Sequence, residues 1–106
     1  MLRSVEQRRV AAGEREDPRV TELRAAVARL RRQLAAHPAD FPDRSIAEEE
    51  LAALDALAAD GGGDLPRLRR SLLLVAGAIG SMSALRRGVQ DLRTAVELLG
   101  TAPPRG

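Results

Sequence analysis

The chain has 106 residues, one domain's worth, with seventeen basic residues against fifteen acidic ones and a net charge of only +2. It contains no cysteine and a single histidine, His37, which excludes disulfides, thiol catalysis and metal sites built from cysteines or several histidines. Phe41 is the only aromatic residue, so the core has to be built from Leu, Val, Ile and Ala, a composition that favours helices over strands.

The sequence pI of 10.8 suggests a nucleic-acid binder, but it follows from the choice of cation. Every basic residue is arginine, and there is no Lys, Cys or Tyr. Almost nothing titrates between neutral pH and the arginine range, so a small positive excess drives the pI very high. Net charge is the better guide, and it is modest.

Residues 1–17 hold four Arg and four acids with weak periodicity, and read as a mobile N-terminal tail. No apolar run suggests a secretory signal there, which points to the cytoplasm. Asp17 and Pro18 then suit the N-cap and first position of a helix. Val20, Leu23, Val27, Leu30 and Leu34 follow at heptad spacing, which predicts a helix from Pro18 to about Ala36, about 27 Å long. A linker with Pro38 and Pro42 leads to Ser45, where Glu48 completes the pattern of a capping box. Ala47, Leu51, Leu54 and Ala58, widened by Leu57, form the stripe of a second helix of about 21 Å, stopped by Gly61-Gly62-Gly63.

A third helix starts near Asp64 and Pro66, with a seam of Leu68, Leu72, Val75, Ile79 and Met82. A second seam, Leu85, Val89, Leu92, Val96 and Leu99, follows out of register. Gly77, Gly80 and Gly88 flank the slip, and each costs a helix about 1 kcal/mol relative to Ala. An unbroken helix here would be about 50 Å long and would leave apolar surface unmatched by the shorter helices. The expected fold is therefore a small all-α antiparallel bundle. It has three helices, with the third kinked or broken between about Gly80 and Gly88 to give four segments. Residues 18–100 form the bundle and 101–106 a C-terminal tail.

Charge is uneven along this plan. Residues 18–36 carry five Arg and one Glu, residues 37–65 one Arg and eight acids, and residues 66–106 seven Arg and two acids. The acidic helix between basic ones predicts internal complementarity, through exposed pairs worth about 0–1 kcal/mol each.

No catalytic or cofactor-binding constellation emerges. Glu48-Glu49-Glu50 point about 100° apart on a helix and suit its first turn through the helix dipole. His37 lacks an accompanying acid and nucleophile. Gly61-Gly62-Gly63-Asp64 follows no strand and precedes no lysine, unlike a phosphate loop. The charge-free stretch Ser71–Leu85, at 15 residues, is short of the about 20 a membrane span needs, and reads as a buried helix apolar on most sides. Gly77, Ser81, Ala84 and Gly88 would let another backbone approach, within the fold or across a dimer seam.

The function expected from these features is that of a non-enzymatic protein-interaction or regulatory module, binding a protein partner or itself. Phe41 in the segment Asp40–Ser45 is either a packing anchor or a partner contact. Val89, Leu92, Val96 and Leu99 are the candidate open face, because they lie beyond the register slip. The alternative is a nucleic-acid-associated protein using Arg29, Arg31, Arg32, Arg67, Arg69 and Arg70 on phosphates. Low net charge and the absence of aromatic platforms or a docking motif oppose it.

The segments Leu23–Val27, Phe41–Glu48 and Leu72–Ser81 resemble a family of small, uncharacterised helical proteins of high-GC actinobacteria, over about residues 17–100. The resemblance implies a bacterial cytosolic protein with no assigned activity and transfers no functional residues. The Arg-only, Ala-rich composition agrees with a GC-rich source.

Overall fold

The computed structural model describes residues 17–101 except residue 39. The two tails expected at 1–17 and 101–106 thus lie almost wholly outside the described residues. Four helices and no strand occur among the described residues: α1 (Pro18–Ala36), α2 (Arg44–Ala59), α3 (Leu65–Ile79) and α4 (Ser83–Leu99). The expected third helix is broken rather than kinked. The break falls at Gly80–Met82, the N-terminal edge of the expected window. Met82 turns to extended backbone there (ψ 117°), which ends α3 and lets α4 fold back.

Each helix packs on two neighbours, α1 on α2 and α4, and α3 on α2 and α4, while the diagonal pairs do not meet. Short loops make successive helices antiparallel. The closing pair is antiparallel as well, since Arg19 near the start of α1 donates to the carbonyl oxygens of Leu98 and Thr101 at the end of α4.

The heptad seams point inward from all four helices. Leu23, Leu30, Leu51, Leu54, Leu68, Ile79, Leu85 and Leu92 are fully buried, and Val27, Val75 and Val96 fill the gaps between them. Each buried aliphatic side chain of this size contributes about 1.5–3 kcal/mol. Ala26 and Ala95 join the core, and these small side chains allow α1 and α4 to approach closely.

The helix ends follow local chemistry. Asp17 caps α1 by accepting from the backbone N–H of Arg19 and also holds the Arg19 guanidinium at 2.6 Å. That hydrogen-bonded guanidinium holds the Asp17 carboxyl below its ordinary value. Asp64 caps α3 through the Arg67 N–H. At the C-terminus of α2, Gly61 N–H donates to Ala58 O and Gly62 N–H to Leu57 O, a Schellman turn that needs the positive φ of Gly61, 103°.

The capping box expected at Ser45 and Glu48 is absent. The N-cap lies two residues earlier, at Asp43, which makes no side-chain cap bond, and the helix starts at Arg44. Glu48 instead pairs with Arg44 one turn away, at 3.3 Å. The guanidinium of Arg44 also donates to Leu34 O at 2.6 Å and His37 O at 3.0 Å, tying the end of α1 to the start of α2. It lies 5.9 Å from the centroid of the Phe41 ring, which meets His37 edge-on. Arg44→Ala removes the charged donor shared by His37 O and Leu34 O, the latter keeping only the His37 N–H, and is expected to lower stability by about 1–3 kcal/mol. Urea denaturation would read this as a lower midpoint at an unchanged slope.

Candidate interaction surface

The residues expected to form an open face on α4 do not. Leu92 and Val96 are fully buried, Val89 is buried, and Leu99 is half-buried against the core. The register slip that set this seam apart is the turn between α3 and α4. Folding back there lays the second seam on the core made by the first three helices. Phe41 is half-buried and packs on the core, with Arg44 over its ring. That contact is the anchoring role weighed for it, and one side of the ring still borders a shallow surface hollow with Pro42 and Ser45.

The six arginines considered for phosphate contact are exposed and fall on α1 and α3, helices that do not touch. Arg29 lines the α1–α4 groove beside Glu22 and Asp91. Arg31 faces α2 and pairs with Asp55 at 3.6 Å. Arg67 and Arg70 line the α2–α3 groove. The terminal nitrogen of Arg69 lies near Gly100 at the end of α4, and Arg32 is exposed on α1. The two trios therefore do not merge into one basic surface. The expected charge complementarity is only partly used. Among the described residues Arg31–Asp55 is the single ion pair between two helices, and Glu49, Glu50, Arg67 and Arg70 form none.

The surface that emerges lies on α2 and α3. Among the described residues, three of the four exposed large apolar side chains are here: Ile46 (41% exposed), Leu73 (67%) and Leu74 (41%). The fourth, Leu98, sits across the bundle in the α1–α4 groove. Between α2 and α3 runs a groove of about 580 Å³, with Glu50 and Ala53 on one wall and Arg67, Arg70 and Leu74 on the other. Ser71, a buried polar residue, lines it.

This corrects the expectation that Ser71–Leu85 forms a helix apolar on most sides because it is buried on most sides. Ser71, Leu72, Val75 and Ile79 face inward, whereas Leu73, Leu74 and Gly77 face out. The sequence carried the signal: Leu73 and Leu74 are out of phase with the Leu68–Leu72–Val75–Ile79 seam, so one helix face cannot bury them all. The small residues divide as well. Gly88 is buried against α1, whereas no atom stands within 4 Å of the place a Cβ on Gly77 would occupy. Among the described residues no three His, Cys, Asp or Glu side chains gather as a metal site, and no helix is long and apolar enough to cross a membrane.

The fold and this surface define a small four-helix bundle with an internal aliphatic core and one partly apolar outer face. The chain belongs to a family of unknown function, DUF5955, which residues 12–100 match. No curated protein and no solved structure shows significant similarity to it.

Proposed function

We propose that the chain is a non-enzymatic protein-interaction module of the bacterial cytoplasm and that the α2–α3 face is its contact surface. The observation that carries this reading is Leu73, two-thirds exposed in mid-helix and next to the exposed Leu74. Exposing leucine side chains forgoes burial that the same residues would gain at an interface. The apolar centre is flanked by charges that have no partner among the described residues, as in interfaces with an apolar core and polar rim.

A photoreactive amino acid placed at Leu73 tests the reading in the source cell, with the same group at Leu98 as the control across the bundle. A protein adduct formed at position 73 and not at 98 is the expected result. No protein adduct at position 73, or equal adducts at both, overturns it.

A further inference from the structure

We infer that the occupant of the α2–α3 face is a second copy of this chain, docked through crossed α3 helices. The inference deepens the interaction reading and rests on it. Three observations select this occupant. The first is charge: Glu50 and Asp64 share the α2–α3 groove with Arg67 and Arg70, equal in number and opposite in sign, and none of the four forms an ion pair among the described residues. A face of that kind is its own electrostatic complement, which is what a two-fold contact requires. A polyanion approaching Arg67 and Arg70 meets the carboxylates of Glu50 and Asp64 as well, so the same face disfavours nucleic acid and acidic lipid.

The second observation is shape. Leu73 and Gly77 lie one turn apart on α3, one a knob standing into solvent and the other a gap with nothing within 4 Å of its missing Cβ. Two α3 helices crossing antiparallel about this turn seat Leu73 of each beside Gly77 of the other. Leu74 and Ile46 extend the apolar contact on the α2 side.

The third observation sets the direction of the crossing. Arg67 and Arg70 are on the N-terminal half of α3, and Glu50, the groove acid of α2, is on the N-terminal half of that helix. Because α2 and α3 are antiparallel, Glu50 lines the groove together with Leu74 and beyond Arg70. An antiparallel α3 from a second copy therefore brings its arginine-bearing half toward Glu50 if it tilts toward α2. Tilting toward α4 would bring it over Arg86 and Arg93, which line the α3–α4 groove, and like charges oppose that arrangement.

Sedimentation equilibrium of the full chain tests the assembly, with circular dichroism as the check on folding. A concentration-dependent dimer is expected. Leu73→Asp should abolish it with the helical signal intact, because position 73 is exposed in the monomer. Arg70→Glu should weaken the dimer by at least about tenfold, and adding Glu50→Arg in the same chain should restore most of that loss. Restoration requires both residues to meet across one interface. A chain that stays monomeric up to about 1 mM, or a dimer insensitive to Leu73→Asp, overturns the inference. A monomeric chain that nevertheless cross-links to a different protein through position 73 overturns the self-association and leaves the interaction reading standing. Failure of all cross-linking at position 73 removes the interaction reading itself.

Discussion

A chain carrying Leu92→Asp and Val96→Asp is expected to lose its helical circular-dichroism signal at 25 °C. Both side chains are fully buried, and the groups around them are aliphatic. No arginine is placed to pair with a carboxylate at the bundle axis, so each aspartate must stay protonated or draw water inward. Either response costs several kcal/mol per site, and the aliphatic contacts are lost in addition. A domain of this size has about 5–15 kcal/mol in total. Leu92→Ala is the graded form of the same test, with an expected loss of about 2–5 kcal/mol. Had α4 presented this seam to a partner, the double variant would lose association and keep its helicity. Full helicity in the double variant would therefore show that the interior assignment of α4 is wrong. Leu73→Asp is the matched control, adding the same carboxylate at an exposed leucine.

The contrast between Leu92 and Leu73 shows what was legible in the sequence. Heptad spacing located the inward face of every helix, because only a face repeating every three or four residues stays on one side of a helix. It identified Leu92 as a seam residue but left open which surface the seam would meet. That depends on the direction α4 takes after Met82, and three backbone residues determine it. Leu73 was hidden for a different reason. A run without charges looks buried on all sides, and only comparison with the Leu68–Ile79 seam shows that Leu73 and Leu74 point away from it. Arg44 was hidden by its range of contacts. Its cap on Leu34 O joins residues ten positions apart across a loop, which neither helix periodicity nor a capping motif encodes. The charge blocks did place an acidic α2 among basic neighbours. They did not show that Glu49, Glu50, Arg67 and Arg70 remain unpaired, since pairing depends on side-chain reach across the groove.

Gly88→Leu is expected to be the most damaging change at a position where the sequence shows only a weak helix former. Glycine in mid-helix costs about 1 kcal/mol relative to alanine, so helix propensity alone predicts that a larger residue stabilises α4. The packing predicts the opposite. A Cβ on residue 88 would stand 2.8 Å from Leu30 Cδ1 and 2.5 Å from Gln33 Oε1, both on α1. The glutamine oxygen ends a flexible, exposed side chain and can move aside. Leu30 is fully buried, and a close-packed interior leaves such a side chain little room to shift. Alanine at this position therefore sets the propensity gain against a displaced Leu30, and its net effect is small. Leucine adds three further carbons to the same contact, and α1 and α4 have to separate along a seam that elsewhere closes on Ala26 and Ala95. The expected loss for Gly88→Leu is about 3 kcal/mol. For a domain of this length, thermal unfolding would record a melting temperature lower by about 12–24 °C. The variant should still dimerise wherever it remains folded, because position 88 is buried against α1, away from the α2–α3 face. A melting temperature equal to or above that of the parent would mean that α1 and α4 are not in contact through Gly88. The glycine in the middle of α4 would then have no packing reason to be there.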